Sequence, residues 1–108
     1  MAGRLTRGEI YLAHFPPPDK QRPVIILTRD SALSVLTKVT VVPITSTVRG
    51  APSEMPLDVD DGLKGPCVAN FFHLSTIRQS GLIRYVSTLS EARMEQLCAF
   101  MRYALGCD

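Results

Sequence analysis

Two apolar stretches, PVIILT at residues 23–28 and KVTVVPI at residues 38–44, decide the fold of this chain. Each is a nearly continuous run of β-branched residues, which is typical of a strand buried on both faces of a sheet. Pro43 interrupts the second run. Because proline has no backbone N–H, it predicts an edge, a bulge or the end of a strand at that point.

Shorter segments on either side of these two runs also have strand-like patterns. Turn residues punctuate them: a loop is expected from Phe15 to Arg22, which contains three consecutive prolines, and a turn from Thr47 to Pro52. A single helical turn is expected over Asp30–Leu36, capped by Asp30. The further strands are expected at Glu9–Phe15, Glu54–Val59, Cys67–Phe72 and Leu82–Leu89.

The last part of the chain changes to a helical period. Apolar residues recur along one stripe, which predicts an amphipathic helix that packs on the sheet. Ser90 is placed to cap its start, Leu89 and Met94 have the spacing of a hydrophobic staple, and Gly106 is placed to end it. The stripe consists of Met94, Leu97, Cys98, Met101 and Leu105.

Length and composition agree with one small folded domain over residues 1–108, of which 45% are hydrophobic. Five to seven short strands followed by one helix predict a mainly β fold, a strongly bent sheet or small open barrel with a C-terminal helix. No apolar run is long enough to cross a bilayer, and the first eight residues lack the apolar stretch of a signal peptide. Three widely spaced cysteines suit a reducing cytoplasm and give no disulfide or zinc pattern.

The formal net charge of +2 conceals an uneven distribution. Four of the ten acidic residues lie between Glu54 and Asp61, where there is no Lys or Arg, so the rest of the chain carries 12 basic residues against six acids. A surface with that excess suits a polyanion such as RNA. The alternative interpretation is that these side chains only solvate a small basic protein.

Sequence motifs for nucleotide, metalloprotease and hydrolase sites are absent from the chain, and its two histidines are too far apart to predict a metal site. What remains is polar residues at strand ends. Arg22 precedes one buried strand and Thr45-Ser46-Thr47 follows the other. Arginine presents a planar fork of donors that fits a phosphate, and a threonine hydroxyl can bind the same group. Alternatively, Arg22 is a solvated loop residue and the threonines cap a turn.

Three blocks of sequence resemble the MazF/PemK toxin family. They are GEIY at residues 8–11, RPVIILT at residues 22–28 and VVPITS at residues 41–46, and the similarity continues through residues 67–70, 75–77 and 89–90. The resemblance implies an SH3-like barrel with a C-terminal helix, a homodimer, and an endoribonuclease toxin that a cognate MazE-like antitoxin neutralises. It further implies cleavage of single-stranded RNA without a metal or other cofactor, by attack of the ribose 2′-OH on the adjacent phosphate.

Carried over residue by residue, the resemblance makes Arg22 and Thr45 the catalytic residues. Arg22 would stabilise the charge of the pentacoordinate phosphoryl group, a role that requires a protonated side chain, and Thr45 would hold a phosphate oxygen. Other residues near these blocks are expected to bind RNA. They are Lys20, Gln21, Ser46, Thr47, Asn70 and Phe71.

The chain departs from the family at Phe72, which stands where many members carry an acid proposed as general base. His73 is the obvious replacement for proton transfer. In a regular strand, however, His73 would point to the face opposite Phe72, so a bulge would be required to bring it to the site. Two alternatives to the nuclease remain: a family member that has lost catalysis or serves only as a binding module, and a poison of a protein target like the toxin CcdB. Against the latter, the chain has no Trp at its C-terminal end.

Overall fold

Seven strands and a long C-terminal helix make up most of the computed structural model, which describes residues 4–18 and 21–108. Three short 3-10 turns and one helical turn connect them. None of the helices in the described part is long and apolar enough to cross a membrane. The elements are β1 (Glu9–His14), β2 (Gln21–Ile26), α1 (Asp30–Leu33), β3 (Lys38–Thr45), β4 (Glu54–Leu57), β5 (Cys67–Asn70), β6 (Ser75–Arg78), β7 (Leu82–Thr88) and α2 (Glu91–Ala104), with 3-10 turns at Val59–Asp61, Phe71–His73 and Gln79–Gly81.

All strand pairs are antiparallel, in the order β4-β5-β3-β2-β1-β7, with β6 paired to β3 beside β5. β3 is therefore the hub of the sheet. On one edge its residues 38–41 pair with β6 and its residues 44–45 pair with β5. Pro43 falls in the gap between these two partners, which is the interruption that a proline requires. The sheet stays open because no pairing in the described part joins β4 to β7.

The two central strands are buried on both faces, as their β-branched composition predicted. Val24, Ile25 and Ile26 of β2 are all fully buried. Alternate residues enter two separate core clusters: Ile25 and Val42 pack on the side that carries α2, whereas Val24 and Val41 pack on the other side. A mainly β fold with a strongly bent sheet and a C-terminal helix is thus confirmed.

Helix α2 begins and ends where its caps predicted. The Ser90 hydroxyl accepts the N–H of Arg93 at 3.2 Å. At the other end Gly106 has φ +73° and the N–H of Cys107 reaches the carbonyl of Arg102 at 2.8 Å, which is a Schellman motif. Leu97 is fully buried, and Met94, Cys98 and Met101 pack against the core. Leu105 was wrongly assigned to this stripe: it follows the last helical residue and is 58% exposed.

Two predicted strands stop early because side chains cap 3-10 turns. The expected strand Glu54–Val59 ends at Leu57, since Asp58 and Asp61 form a capping box around the next turn. The expected strand Cys67–Phe72 ends at Asn70, whose side-chain oxygen accepts the N–H of Phe72 at 3.0 Å.

Two further differences concern α1 and β6. The helical turn α1 is present, but Asp30 is not its cap. Its carboxylate instead accepts the backbone N–H of Arg7 at 2.6 Å and ties the N-terminal segment to the turn. The strand β6 was not predicted, since it is only four residues long and depends on pairing with β3.

Candidate active site

The pairing of β2 with β3 brings Arg22 and Thr45 together. In this ladder Val24 and Pro43 form the last pair, and Arg22 and Thr45 each lie two residues beyond that pair, at the same end of the two strands. The guanidinium Nη1 of Arg22 also lies 3.5 Å from the carbonyl oxygen of Ile44, next to Thr45. The two predicted catalytic residues are therefore neighbours on one face of the sheet.

Both residues line an open groove of about 410 Å³ on this face. Strands β2, β3, β4, β5 and β6 and the turn before β6 all contribute to its walls. The lining residues are Phe15, Arg22, Pro43, Thr45, Thr47, Arg49, Glu54, Asn70, His73 and Ser75.

His73 enters the groove because the chain leaves β5 through a 3-10 turn. Successive residues in such a turn are rotated by about 120° rather than the 180° of a strand. The expected orientation of His73, away from the site, followed from treating Phe71–His73 as strand and is wrong. The 3-10 turn, rather than a bulge, reorients His73. It places the exposed imidazole in the same groove as Arg22 and Thr45.

The same turn buries one phenylalanine and exposes the other, although both rings lie against α2. Phe72 is 58% exposed and its ring lies 6.2 Å from that of Tyr103 in α2. Phe71 is 1% exposed and stacks on Phe100 in the core. The expectation that Phe71 binds RNA is wrong, because a buried ring cannot stack on a base.

Asn70 and Thr45 each use part of their hydrogen-bonding capacity on the fold. The Asn70 Oδ1 accepts from the Ser53 hydroxyl at 2.8 Å and from the Phe72 N–H, which leaves the amide NH₂ as the group to offer the groove. The Thr45 Oγ1 accepts the N–H of Thr47 at 3.1 Å, so the turn predicted for these threonines is present. A hydroxyl that accepts one bond still carries a hydrogen to donate.

The remaining predicted RNA-binding residues are distributed differently. Thr47 lines the groove, whereas Gln21 and Ser46 are exposed next to it and do not. Lys20 lies outside the described residues. The structure thus gathers Arg22, Thr45, Thr47, Asn70 and His73 in one groove.

Five lining residues were not among the predicted site residues: Phe15, Pro43, Arg49, Glu54 and Ser75. Ser75 depends on the unpredicted strand β6, where it pairs with Val41. Glu54 enters the groove because β4 pairs with β5 so that Glu54 is opposite Asn70. Among these residues, Arg49 could have been predicted from the sequence, since it is a basic residue in the turn directly after the block that contains Thr45.

The described lining favours an anionic ligand. It contains two guanidinium groups, Arg22 and Arg49, and one imidazole, His73. Its one carboxylate, that of Glu54, is directed to backbone N–H groups of residues 49–51. Since guanidinium groups bind phosphate through paired N–H donors, the groove suits the phosphodiester backbone of a nucleic acid.

Comparison with known proteins agrees with this chemistry. The profile of a family described as PemK-like, MazF-like toxin of type II toxin-antitoxin system matches residues 6–105. The chain belongs to this toxin family. Among curated relatives, the probable endoribonuclease MazF2 of Mycobacterium tuberculosis is 36% identical over 95% of this chain and 100% of its own length. The endoribonuclease MazF3 of the same species is 39% identical over 88% of this chain and 92% of its own.

Solved structures confirm the fold. The Mycobacterium tuberculosis toxin MazF-mt6 superimposes with a TM-score of 0.85 at 38% identity, covering 93% of this chain and 98% of the toxin. An endoribonuclease from a mycobacterial species, solved in complex with its cognate antitoxin, superimposes with a TM-score of 0.83 at 22% identity. This superposition covers 96% of this chain and 97% of the endoribonuclease chain.

Proposed function

We propose that this protein is an endoribonuclease toxin that cleaves single-stranded RNA without a metal, by attack of a ribose 2′-OH on the adjacent phosphate. The observation that carries the proposal is the convergence of Arg22, Thr45 and His73 in one groove. A guanidinium, a hydroxyl and an imidazole are the groups that charge stabilisation, orientation and proton transfer require in this reaction. Family membership and relatives named endoribonucleases support it.

Arg22 and Thr45 hold the reacting phosphate in the proposed mechanism. An arginine stays protonated at neutral pH, so Arg22 stabilises the additional negative charge of the pentacoordinate phosphoryl group. The Thr45 hydroxyl donates its hydrogen to a phosphate oxygen while its oxygen accepts the Thr47 N–H. That hydrogen bond fixes the rotamer of Thr45, and the donor is therefore oriented before RNA binds.

His73 takes the place of the missing carboxylate in proton transfer. The neutral imidazole accepts the proton of the 2′-OH as the oxygen forms its bond to phosphorus. The bond from phosphorus to the 5′-oxygen breaks, and that oxygen takes up a proton from water, while the imidazolium later returns its own proton to the solvent. The products are a 2′,3′-cyclic phosphate and a 5′-hydroxyl end. Histidine suits this role because it exchanges protons near neutral pH.

Residues around the catalytic three bind the RNA strand. Asn70 offers its amide NH₂ and Thr47 its hydroxyl from the groove, while Gln21 and Ser46 contact the strand at its margin. Lys20, which directly precedes Gln21 in the sequence, contributes a further cation. Together these groups position RNA through phosphate contacts and through hydrogen bonds to base edges.

The protein acts as a cytoplasmic homodimer under the control of a cognate MazE-like antitoxin. The family's place in type II toxin–antitoxin systems supports this partner. A disordered acidic antitoxin segment that folds over the groove suits the excess of basic residues outside residues 54–61.

The test is cleavage of a long single-stranded RNA by purified protein in EDTA. We expect cuts at a repeated short sequence, and loss of about 10²–10³ in rate for Arg22→Ala, as for removal of an oxyanion donor. Arg22→Lys should remain strongly impaired because lysine lacks the planar fork. Arg78→Ala removes the same charge from the other face of β6 and should cleave normally. Intact RNA with the folded wild-type protein would refute the nuclease and favour a protein target or an inert relative.

A further inference from the structure

We propose that Arg49 is a second phosphate-binding residue of this groove and that Glu54 is the positioning residue that holds it there. The inference rests on the proposed function and names its substrate more closely: an RNA strand with a further phosphate next to the one that is cleaved. Neither residue was predicted to belong to the site.

Glu54 is an acidic residue in a groove suited to anions, and its contacts explain why it is tolerated. It is 6% exposed. Its Oε1 accepts the consecutive backbone N–H groups of Arg49, Gly50 and Ala51 at 3.1, 2.8 and 3.2 Å, and its Oε2 lies 3.3 Å from the Arg49 N–H. The carboxylate is thereby committed to the loop, and its charge is offset by three N–H dipoles.

Glu54 and the loop at residues 49–51 also form a hydrogen bond in which Glu54 is the donor. The backbone N–H of Glu54 donates to the carbonyl of Ala51 at 3.0 Å, so both the side chain and the backbone of Glu54 bind this loop. Gly50 has φ +77°, a left-handed conformation that lets its N–H turn towards the carboxylate. The backbone of Arg49 is fixed as a result, although its side chain is exposed.

Fixing this backbone directs a guanidinium to the groove. Arg49 lines the same walls as Arg22 and Thr45, but it belongs to the loop after β3, whereas Arg22 belongs to β2. If Arg22 and Thr45 hold the reacting phosphate, Arg49 is placed for a neighbouring one. A substrate that meets both arginines through separate phosphates must be an oligonucleotide.

Binding of an uncleavable probe tests the role of Arg49 separately from catalysis. The probe is a fluorescein-labelled pool of random 20-mers of 2′-O-methyl RNA, in which the attacking hydroxyl is blocked, and binding is followed by anisotropy over a series of salt concentrations. Arg49→Ala should weaken binding about tenfold at low salt, as expected for a charge-assisted contact. It should also reduce the slope of log K against log salt by about 0.7, as expected for one phosphate on a single strand.

Arg78→Ala is the matched control. Arg78 alternates with Ser75 and Ile77 along β6, so it lies on the face of the sheet away from the groove. It loses the same charge and should weaken binding less than twofold. Equal effects of the two substitutions on affinity and salt slope would overturn the proposal, because they would show a dependence on net charge alone.

Glu54 is tested with two substitutions that separate position from charge. Glu54→Gln makes the groove more positive, so attraction alone predicts tighter binding, whereas loss of the positioning contacts predicts binding about threefold weaker. Glu54→Asp keeps the charge but shortens the reach, and it should also weaken binding. In the Arg49→Ala background neither substitution should cause a further loss. Tighter binding by Glu54→Gln, or full additivity with Arg49→Ala in a folded double variant, would contradict a positioning role.

The two proposals fail in different ways. Absence of cleavage by the wild type, with the expected pattern of probe binding, refutes the nuclease and leaves the Arg49 contact standing. Cleavage by the wild type with equal binding by Arg49→Ala and Arg78→Ala refutes the Arg49 contact and leaves the nuclease standing. Failure of the folded wild-type protein to bind the probe overturns the Arg49 proposal directly.

Discussion

The ion pair between Arg93 and Asp61 is expected to contribute more to stability than any other charged contact described in this fold. The ion pair is bidentate: the Nε–H group of Arg93 in α2 donates to Asp61 Oδ1 at 2.9 Å, and its Nη2–H group donates to Asp61 Oδ2 at 2.7 Å. Nη2 also donates to the carbonyl of Pro56 in β4 at 2.7 Å. The pair therefore joins the C-terminal helix to the sheet. The perturbation to make is Arg93→Ala.

The magnitude follows from the burial of the two side chains. The Asp61 side chain is 6% exposed and that of Arg93 is 28% exposed. Removal of one partner of a buried pair costs about 3–5 kcal/mol, while exposed pairs contribute about 0–1 kcal/mol. Because Arg93 is partly solvated and Asp61 would retain the N–H of Asp58, we expect the low end of the buried range, about 3 kcal/mol. For 108 residues this corresponds to a Tm lower by about 13 °C.

Urea unfolding at a fixed protomer concentration measures this loss, since the stability of an oligomer depends on concentration. The matched control is Arg102→Ala, which removes an exposed arginine from the same helix and should cost about 0.5 kcal/mol, the contribution of a cation near a helix C-terminus. A loss below 1 kcal/mol for Arg93→Ala, or one equal to that of Arg102→Ala, would refute the argument from burial.

Three further outcomes are expected. The hydrogen bonds from Arg93 hold the pKa of Asp61 below its usual range. The stability that this shift provides is fully present above the pKa of the carboxyl in the unfolded chain, and it is lost as the pH falls through the lower pKa of the folded state. Urea unfolding between pH 6 and pH 3 should therefore show a larger loss for the wild type than for Asp61→Asn, and parallel curves would contradict the shift. Gly62→Ala should cost about 2–3 kcal/mol, because φ is +86° and a Cβ there would meet the Ser87 Oγ at 2.5 Å; a thermal shift equal to that of the open site Gly65→Ala would contradict this. His73→Gln should slow RNA cleavage about 10²–10⁴-fold at neutral pH, and an unchanged rate would exclude His73 from proton transfer.

Features that depend on neighbouring residues could be predicted from the sequence. The runs at residues 23–28 and 38–44 are buried strands because their β-branched side chains suit a pleated surface whatever surrounds them. Ser90 and Gly106 set the ends of α2 because caps act within one turn. Arg22 and Thr45 could be predicted as site residues because each belongs to a block of sequence that resembles the family pattern and includes one of these strands.

Features that depend on contacts between distant segments could not. Strand β6 exists through its pairing with β3, more than thirty residues away in the chain. Glu54 reaches the groove through the pairing of β4 with β5, and it looked from the sequence like part of an acidic stretch. Phe71 and Phe72 could not be assigned to core and surface, since alternation gives the period of a strand but not which face is buried.

Local propensity and capping thus specify the mainly β class and the terminal helix, and the family motif predicts Arg22 and Thr45 as the centre of the site. The position of His73 beside them depends on contacts between distant segments. The side chain of Asn70 accepts both the Ser53 hydroxyl, 17 residues away, and the Phe72 N–H. These bonds end β5 and start the 3-10 turn, and the rotation of that turn brings the imidazole into the groove. A histidine's direction within such a turn is set by a partner that the local sequence does not contain.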